Sequence, residues 1–466
     1  MLSRQRRALL RALGVAAAGA LAGCPGDESG DTDTPDADPT PTDTPAPTPT
    51  ARPTESPTAT ATDTETATET ETDAPDDETP ETDGAEPARP DTGWPLPRGG
   101  ERNHGHNPEG VTFGAAPTEA WRAEPPAADT DYHDPEYVHP VVADGRVYAT
   151  GRLVYGPHVA PPERQFLHAL DPVTGERVWE YELTDESDGS VAEVSACAAR
   201  GDRVYVGADD RLHAVDAAEG TAHWTRQLPE RVDVVHPTAE GVVLATGWSV
   251  RVLESDGERR WDHEFGEHVG ARPALGDQYL YVGASGKQLM AFDPATGDRA
   301  WMADAMPPEG TDEGGWAVYT VVTVGERVVV RRASGVVYAF DRTGEPVWHD
   351  RARGRGLTAD GERLYTGRVG GKVVATDPAT GERVWEQTVG DRTDDARRGV
   401  GPMVAGDDAL YGAVADGTLF ALRPDDGSVV WTAETDAERL ALGSEALYGV
   451  GDRDGELRRW TAGGDG

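Results

Sequence analysis

The feature that most constrains this chain is a tryptophan that recurs at intervals of roughly forty residues. Each tryptophan closes a similar phrase, written most fully as Asp293-Pro-Ala-Thr-Gly-Asp-Arg-Ala-Trp301 and Asp377-Pro-Ala-Thr-Gly-Glu-Arg-Val-Trp385. One signature at a nearly fixed period indicates a repeat architecture, in which neighbouring units bury each other's apolar faces. The tryptophans of the phrase are Trp179, Trp224, Trp261, Trp301, Trp348, Trp385 and Trp431.

Short β-strand patterns surround each phrase. Runs rich in Val, Tyr and Leu alternate with Gly/Asp turns, which is typical of strands and not of helices. Within the phrase, Asp-Pro-x-Thr-Gly predicts a tight turn, because proline presets φ and glycine accepts a positive φ. Each unit thus contains four antiparallel strands, called a to d in chain order. Such units arranged radially form a β-propeller, so we predict an all-β fold.

The number of units follows from their b strands, and the ring closes between the two ends of the propeller. The last unit has no d strand, because its Trp460 aligns with strand c. Upstream, Thr118–Ala123 carries Trp121 and looks like an isolated strand d. We predict eight blades with N-to-C strand closure, which removes an exposed edge. The b strands begin at Val147, Val204, Val243, Leu280, Val328, Leu364, Leu410 and Leu447.

The phrase x-Ala-x-Asp-x-x-Thr-Gly-x-x-x-Trp resembles the tryptophan-docking repeat of the PQQ-like (pyrroloquinoline-quinone-type) propellers, over residues 94–466. That family includes quinoprotein dehydrogenases, which hold the quinone and Ca²⁺ at the ring centre. It also includes non-enzymatic lipoproteins similar to the bacterial outer-membrane assembly propeller. The resemblance is therefore specific for fold and weak for function. It implies a blade-docking role for Trp121, Trp179, Trp224, Trp261, Trp301, Trp348, Trp385 and Trp431.

Residues 1–23 have the pattern of a twin-arginine lipoprotein signal peptide. Arg6-Arg7 precedes an apolar run, from Ala12 to Ala22, that is too short to span a bilayer. Leu21-Ala22-Gly23-Cys24 resembles a lipobox, in which Cys24 receives the lipid. We expect a haloarchaeal-type exported lipoprotein, anchored to the outer face of the cell membrane. An incidental cysteine after a cleaved signal is the alternative interpretation of Cys24.

Residues 24–93 differ in composition from the rest of the chain. They are rich in Thr, Pro, Asp and Glu and poor in apolar residues, so they cannot offset the entropy of ordering. We predict a disordered, extended surface linker that holds the propeller off the membrane. Its composition resembles an O-glycosylated spacer, and whether it carries glycans stays open.

The chain has a net charge of −41, and its only lysines are Lys287 and Lys372. Nucleic-acid binding needs a basic footprint, so this charge argues against a nucleic-acid partner. An acidic, lysine-poor composition is typical of proteins from strongly saline surroundings, where salt screens the repulsion between carboxylates. Codon bias alone explains the shortage of lysine but not the excess of acid. We therefore expect a halophilic fold that needs high salt.

Long insertions fall almost entirely in the d–a and b–c connections, which share one face of a propeller. Irregular loops on a rigid scaffold tend to carry function, so this d–a/b–c face is the candidate working surface. Neutral insertion of acidic loops is the alternative, because loops lengthen at little cost. The insertions are Pro125–Val138, Arg152–Gln165, Thr184–Val194, Met302–Val318 and Val389–Gly401.

Basic residues cluster in the b–c and d–a connections of blades five and six. On a chain this acidic they would attract an anionic partner such as a carboxylate, a phosphate or a glycan. Pairing with neighbouring carboxylates is the open alternative. The candidate ligand-binding residues are Arg331, Arg332, Arg351, Arg353, Arg355, Arg368 and Lys372.

Other polar groups give weaker patterns. The loop acids Asp304, Glu309, Asp312 and Glu313, beside Trp316, have oxygens that suit Ca²⁺ but lack regular Asp-x-Asp-x-Asp-Gly spacing, which favours solvated acids. His104-Gly-His106 only loosely resembles a zinc pattern, so we predict no metal site. Cys197 lies in a strand pattern, and we expect a buried, inert thiol.

We predict no catalytic residue. The chain lacks the Cys-Cys pair typical of the family's alcohol dehydrogenases, and it has no nucleophile elbow, Walker loop or haem-attachment motif. We expect a monomeric, lipid-anchored binding or assembly scaffold whose d–a/b–c face engages a protein or a small anionic ligand. The alternative is a PQQ-dependent dehydrogenase with quinone and Ca²⁺ at the ring centre, where the arginine cluster would clamp the tricarboxylate quinone.

Overall fold

In the computed structural model, every regular element of the described residues is a β-strand. Among the described residues no helix is long and apolar enough to cross a membrane. The residues predicted to form the signal peptide, the lipid-attachment residue Cys24 and the linker lie outside the described residues, apart from Gly93. The structure describes residues 93–125, 133–155, 165–183, 194–286, 288–305, 317–351, 354–390, 399–452 and 454–463.

The strands form eight separate antiparallel sheets, one per blade, which confirms the predicted eight-bladed propeller. Blade 1 comprises β2 (His133–Tyr137), β3 (Val141–Ala143), β4 (Arg146–Tyr155), β5 (Phe166–Leu170) and β6 (Arg177–Glu182). Blade 2 comprises β7 (Ala198–Arg200), β8 (Arg203–Ala208), β9 (Arg211–Asp216) and β10 (Ala222–Gln227). Blade 3 comprises β11 (Val234–Thr238), β12 (Gly241–Thr246), β13 (Ser249–Leu253) and β14 (Arg259–Glu264). Blade 4 comprises β15 (Ala274–Leu275), β16 (Leu280–Gly283), β17 (Gln288–Phe292) and β18 (Arg299–Asp304).

The second half of the ring repeats the same order of strands. Blade 5 comprises β19 (Val318–Val324), β20 (Arg327–Arg332), β21 (Val337–Phe340) and β22 (Pro346–Asp350). Blade 6 comprises β23 (Gly354–Ala359), β24 (Leu364–Arg368), β25 (Lys372–Thr376) and β26 (Arg383–Thr388). Blade 7 comprises β27 (Val404–Ala405), β28 (Leu410–Val414), β29 (Thr418–Leu422) and β30 (Val429–Glu434). Blade 8 comprises β31 (Ala437–Leu442), β32 (Leu447–Gly451), β33 (Leu457–Thr461) and β1 (Thr118–Ala123).

Blade 8 closes the ring as predicted. Strand β1 pairs with β33, with Thr118 opposite Thr461 and Ala123 opposite Leu457. Trp460 lies in β33, so it belongs to strand c and is not the tryptophan of the phrase. The N-terminal strand covers the edge that the last blade would otherwise expose, which blocks pairing with other chains.

Blade 1 departs from the prediction. Strand β2 pairs along the far half of the ten-residue strand β4, from Tyr137 opposite Gly151 to His133 opposite Tyr155. These residues belong to two insertions, Pro125–Val138 and Arg152–Gln165, that were expected to be irregular. That expectation is wrong for their paired ends, which bond to each other and extend the sheet. The paired residues are separated by 14 positions (Tyr137 and Gly151) to 22 positions (His133 and Tyr155), and the composition of the two insertions does not indicate that they pair.

Apolar clusters between adjacent blades form the core. One cluster joins blades 1 and 2 through side chains such as Leu167 and Val204, and another joins blades 5 and 6 through Val322 and Leu364. The largest cluster contains Tyr448 together with residues of blades 7, 8 and 1. Each sheet is therefore apolar on both faces, and no blade has a core of its own.

Each tryptophan of the phrase donates a hydrogen bond from its indole Nε1 to a backbone carbonyl outside its own sheet. In seven cases the acceptor lies in the c–d turn of the next blade, and Trp431 reaches the segment that precedes β1. The distances range from 2.8 Å to 3.1 Å. The pairs are Trp121 to Pro172, Trp179 to Ala217, Trp224 to Ser255, Trp261 to Pro294, Trp301 to Arg342, Trp348 to Pro378, Trp385 to Pro424 and Trp431 to Phe113.

The turn residues of the phrase each have a distinct physical role. In blade 1, the Asp171 carboxylate accepts the backbone N–H groups of Val173 and Thr174, which fixes the turn. Gly175 has a φ of +74° and lies against the indole of Trp121, where a Cβ would come within 2.7 Å of the ring. The same phrase therefore makes the turn and leaves room for the neighbouring tryptophan.

Candidate functional site

A cavity with a volume of about 590 Å³ opens on the d–a/b–c face, across blades 5 to 8. Its wall is built from connections of four consecutive blades, including the segments around Ser334, Gly354, Pro402 and Ala415. We call it the face pocket. Small residues form much of its wall, because adjacent blades approach closely there, as at Gly356, where a Cβ would meet the Gly401 carbonyl at 1.9 Å.

Two of the predicted ligand-binding residues, Arg331 and Arg355, line the face pocket. The Arg331 guanidinium lies 5.7 Å from the ring centre of Tyr319, an exposed aromatic residue on the same face. Burial lowers the pKa of Arg331 from its usual value. Arg355 is exposed. A cation stacked on an exposed aromatic ring forms a contact surface for an anionic or aromatic group. Tyr319 was not singled out from the sequence, although it directly follows the predicted insertion Met302–Val318.

The other basic residues of the predicted set are dispersed. Arg332 is buried and stacks on Tyr338, with its guanidinium 5.8 Å from the ring centre. Arg368 forms an ion pair with Asp350, and Lys372 forms one with Glu386 at 2.8 Å. Arg351 is exposed, and Arg353 lies outside the described residues. The structure thus brings Arg331 and Arg355 to one cavity and engages several of the others within the protein.

Blade 8 adds acidic groups to the face pocket. Asp436, Glu438 and Asp452 line it opposite the arginines. Asp436 also accepts a hydrogen bond from Arg458, a buried arginine that contacts Asp454 as well. The pocket is therefore basic on the side of blades 5 and 6 and acidic on the side of blade 8. Sequence reasoning missed the acidic side, because single carboxylates carry little information in so acidic a chain.

The opposite face is closed at its centre by residues 94–111, which we call the lead-in segment. This segment contacts strand a, or the residue that follows it, in every blade, so it lies across the middle of the ring. The contacts run from blade 1 to blade 8 as Trp94 to Val142, Pro95 to Ala199, Glu101 to His236, Glu101 to Leu275, Arg102 to Thr323, His104 to Ala359, Gly105 to Ala405 and Val111 to Gly443.

Two asparagines hold the lead-in segment in place, and they are the only asparagines in the chain. The Asn103 amide donates to the Val321 carbonyl at 2.7 Å, and the Asn107 amide donates to the Leu442 carbonyl at 2.9 Å. Both are buried, and Asn103 adopts a φ of +56°, which asparagine tolerates better than most residues.

The residues that the structure describes do not fit a calcium-quinone centre. Among the described residues, no three His, Cys, Asp or Glu side chains converge in a group suited to a metal ion. Asp304 ends β18, whereas Glu309, Asp312, Glu313 and Trp316 lie outside the described residues. Ca²⁺ needs six to eight oxygen ligands, so a quinone held through Ca²⁺ has no visible support in these ranges.

The weaker candidates have ordinary environments. The backbone N–H of His106 donates to His104 Nδ1, and His106 Nε2 lies 3.0 Å from an Asp407 carboxylate oxygen. Burial, aided by the charge of His106, lowers the pKa of His104 to about 4, so its ring is neutral at pH 7. Cys197 is fully buried, and burial raises the pKa of its thiol to about 12, which makes it unreactive.

The fold and the docking motif together define this chain as a β-propeller of PQQ-like repeats. A family model described as outer membrane protein assembly factor BamB matches residues 117–235, 163–341, 245–398 and 333–455. These overlapping matches span most of the propeller, and the chain belongs to this family.

Individual relatives fall into two groups. The outer membrane protein assembly factor BamB of Yersinia pestis is 22% identical over 341 residues, which cover 69% of this chain and 82% of that protein. The quinohemoprotein alcohol dehydrogenase of Comamonas testosteroni is 25% identical over 325 residues, which cover 62% of this chain. This match covers only 39% of the dehydrogenase. The match to a second such enzyme, from Pseudomonas putida, covers 33% of that enzyme.

Solved structures show the same fold. The crystal structure of BamB from Moraxella catarrhalis aligns with a TM-score of 0.56 at 20% identity, covering 74% of this chain and all of that one. The quinohemoprotein alcohol dehydrogenase of Comamonas testosteroni aligns with a TM-score of 0.57 at 15% identity, covering 81% of each chain. Because both groups of relatives share the fold, function must be argued from the site.

Proposed function

We propose that this protein is a binding or assembly scaffold that engages its partner through the d–a/b–c face. The observation that carries the proposal is the difference between the two faces. The lead-in segment closes the centre of one face, whereas the other opens into the face pocket of about 590 Å³. A large concave site with a few convergent polar groups is the usual form of a binding site on a rigid fold.

The chemistry of the face pocket favours a partner with an anionic group. Arg331 and Arg355 line its basic side, and Tyr319 adds an exposed ring in contact with Arg331. Arginine and tyrosine are enriched where proteins bind each other. The acidic side, with Asp436 and Glu438, would set the orientation of a partner that carries both charges. We therefore favour a protein segment over a small molecule.

The family match supports the same conclusion. Relatives in this family are named outer membrane protein assembly factors, and one of them is spanned by the chain to 82% of its length. The dehydrogenase relatives are spanned to 39% or less, and the described residues lack a metal-binding group. We propose an assembly-type role in which the propeller holds another protein.

We also propose that the chain acts outside the cell membrane as a lipid-anchored monomer. The twin-arginine pair, the apolar run and Cys24 in its lipobox-like setting support this location. The Thr/Pro-rich linker would let the propeller reach partners away from the lipid surface. Labelling with a radioactive lipid precursor tests the anchor, since a Cys24→Ser chain would lose the label.

The binding proposal is tested by site-specific crosslinking in native membranes. A photo-crosslinking residue is placed at Tyr319, in chains that carry either Arg355→Glu or Arg299→Glu. Arg299 is also exposed but lies at the start of β18, next to a c–d turn on the other face. We expect one crosslinked protein to disappear with Arg355→Glu and to persist with Arg299→Glu.

Equal crosslinking in both variants would contradict the proposed face. The dehydrogenase alternative is tested in parallel by adding the quinone and Ca²⁺, removing the excess and assaying dye reduction with alcohols and sugars. Retained absorbance with turnover would replace the scaffold proposal by the enzyme.

A further inference from the structure

Trp248 is a large aromatic side chain held at the surface of the d–a/b–c face, in the b–c turn of blade 3. It is 53% exposed, whereas every other tryptophan among the described residues is buried or half-buried. Water disfavours an exposed indole, and a surface turn needs no aromatic residue, so the turn itself does not explain Trp248. Other described b–c turns carry only small or acidic residues, namely Asp209-Asp210, Ser285-Gly286, Ala333-Ser334, Gly370-Gly371 and Ala415-Asp416-Gly417.

The backbone around Trp248 is fixed from both sides. Its N–H donates to Glu230 Oε2 at 3.3 Å, and its carbonyl accepts the Phe265 N–H at 2.8 Å. The preceding N–H, that of Gly247, donates to Asp233 Oδ2 at 2.9 Å. The turn is therefore bonded to the d–a connections that enter and leave blade 3. An aromatic side chain on such a rigid segment loses little conformational entropy on binding, which is typical of the residues that anchor interfaces.

The carboxylate of Glu230 keeps its negative charge beside the exposed ring. Its Oε2 also lies 3.2 Å from the hydroxyl oxygen of Thr246 and 3.2 Å from that of Ser249. All of these hydrogen-bond partners are uncharged, and in the described ranges no cationic side chain forms an ion pair with Glu230. The neighbouring Arg231 pairs with Asp233 instead, at 2.7 Å. Neutral donors hold a carboxylate in place without cancelling its charge, so this side of the turn attracts a cation.

His268 and Glu267 complete this part of the d–a/b–c face. The ring centres of His268 and Trp248 are 6.4 Å apart with 80° between their planes, an edge-to-face arrangement. Glu267 is exposed, and its carboxylate lies against the b–c turn of blade 4. Like Glu230, it has no ion pair in the part of the chain that the structure describes, and Lys287 lies outside that part. We call Trp248, His268, Glu230 and Glu267 the Trp248 surface.

Backbone hydrogen bonds connect the Trp248 surface with the face pocket through the loops of blade 4. The pairs are the Ser285 N–H with the His268 carbonyl at 2.9 Å and the Val318 N–H with the Ala284 carbonyl at 3.3 Å. Tyr319 follows directly in the chain and contacts Arg331 of the face pocket. An interface of ordinary size takes about 20–30 residues from each partner, so one partner can cover both regions.

We propose that the protein partner docks a basic side chain, arginine or lysine, on the indole of Trp248 while its anionic group occupies the face pocket. This inference rests on the proposed function and adds a second contact of opposite charge. A cation over a tryptophan ring is attracted by the negative face of the π system, and Glu230 adds a full charge beside it. The uncompensated carboxylates favour a cation over the neutral hydroxyl groups of a glycan. In molar salt the Debye length falls to about 3 Å, so direct contact is what retains this attraction.

Fluorine NMR of the full chain labelled with fluorotryptophan tests the contact in molar NaCl. The resonance of Trp248 is the one that Trp248→Phe removes. The probes are a short peptide that contains arginine and the same peptide with uncharged citrulline in its place. We expect a saturable shift of this resonance with the arginine peptide and at least about tenfold weaker binding of the citrulline peptide. Absence of a saturable shift, or equal affinity for both peptides, would overturn the proposal. A shift produced by cellobiose and not by the arginine peptide would assign the surface to a glycan instead.

Glu230→Gln tests the charge without removing the acceptor that holds the turn. We expect the affinity for the arginine peptide to fall by at least about threefold, because a full charge near the bound cation is lost. Glu258→Gln is the matched control, since Glu258 lies in the c–d turn of blade 3 on the other face, where it pairs with Arg226. Equal affinities of the two variants would contradict the role of Glu230. If Glu230→Gln does not fold, Glu267→Gln is titrated, and wild-type affinity there would reject the acidic side of the surface.

Crosslinking in native membranes separates this inference from the proposed function. A photo-crosslinking residue at His268 should capture the same protein as one at Tyr319, and Trp248→Ala should lower the capture at His268 by at least about tenfold. Capture at Tyr319 alone would contradict the docking on Trp248 and leave the proposed function intact. Absence of capture at both positions would reject both proposals.

Discussion

A single indole nitrogen connects each blade to a neighbouring segment of the ring. Trp385 is 9% exposed, and its Nε1 donates to the Pro424 carbonyl at 2.8 Å. A buried indole N–H without an acceptor costs free energy, and the ring also buries a large apolar area. The tryptophans therefore stabilise blade contacts, and they are not free to form a row of aromatic binding sites.

Trp385→Phe should lower the free energy of unfolding by about 1–3 kcal/mol, because the Pro424 carbonyl loses its donor and the smaller ring leaves a gap. Guanidinium unfolding followed by circular dichroism measures the change. Trp248→Phe is the control, since Trp248 lies outside the repeat phrase and is 53% exposed. Equal destabilisation by both substitutions would contradict the docking role of Trp385.

Gly381→Ala tests the other half of the same contact. Gly381 has a φ of +77°, and a Cβ there would lie 2.7 Å from the indole of Trp348. Backbone strain and the clash should together cost at least about 1 kcal/mol of stability. Gly361→Ala, where no atom lies within 4 Å of the new Cβ, should be nearly neutral. Indistinguishable unfolding curves for the two variants would show that the turn accommodates the added Cβ without loss of stability.

The lead-in segment is the element that turns eight blades into a ring with one closed face. It has almost no regular pairing of its own, yet its backbone and two asparagines bond to strand a of successive blades. Trp94 and Leu96 also bury their side chains, in the clusters that join blades 7, 8 and 1 and blades 2 and 3 respectively. The segment thus adds contacts that no single blade contributes.

Truncation separates the contribution of the lead-in segment from that of β1. A chain that begins at residue 93 keeps every described contact and should melt like the full chain. A chain that begins at residue 112 keeps β1 and Phe113 but should lose at least about 3–5 kcal/mol, the typical cost of removing one buried tryptophan. Calorimetry measures both transitions. Equal melting temperatures for the two truncated chains would show that the lead-in segment contributes nothing to stability.

Considered whole, the molecule combines a very acidic composition with histidines that are neutral because they are buried. Burial lowers the pKa of His236 to about 3, and the charge of Arg272 lowers it as well. In the unfolded chain His236 binds a proton near pH 6.5, whereas in the folded chain it stays neutral at that pH. The stability linked to this histidine is therefore full above pH 6.5 and is lost as the pH falls toward 3.

The pH dependence can be measured through His236→Gln. Wild type should lose stability between pH 6.5 and pH 4, and the variant should lose it less steeply, by up to about 1.4 kcal/mol per pH unit. The glutamine amide can still donate to the Glu101 carbonyl, which accepts from His236 at 3.0 Å. Urea midpoints at several pH values provide the slopes. Parallel slopes would mean that this histidine is protonated in the folded state.

The halophilic character inferred from composition stays a prediction. A net charge of −41 should destabilise the folded chain at low ionic strength, and the unfolding midpoint should rise as NaCl increases from about 0.1 M to molar concentrations. An uncharged osmolyte such as sucrose serves as the control for general exclusion effects. A midpoint independent of NaCl would show that codon bias alone explains the composition.

The blades, their number and the closure of the ring follow from the amino-acid sequence alone. These features depend on local signals that recur, such as the turn of Asp171 and Gly175 and the tryptophan that follows it. Repetition made each signal readable, and Trp121 and Trp460 could be assigned by comparison with the other units. The sequence also predicted that Arg331 and Arg355 lie on the d–a/b–c face, because the connections between strands alternate between the two faces of a propeller.

Which charged groups lie close together depends on the three-dimensional fold. It paired Arg368 with Asp350, stacked Arg332 on Tyr338 and set the Arg331 guanidinium 5.7 Å from the ring centre of Tyr319. It also joined the ends of two insertions as β2 and β4 and placed the lead-in segment across the ring. Some of these contacts, such as that of Gly105 in the lead-in segment with Ala405 of blade 7, join residues about 300 positions apart, and no periodic pattern records any of them. Closing the ring creates them, because it makes the first strands of all eight blades neighbours of one short segment.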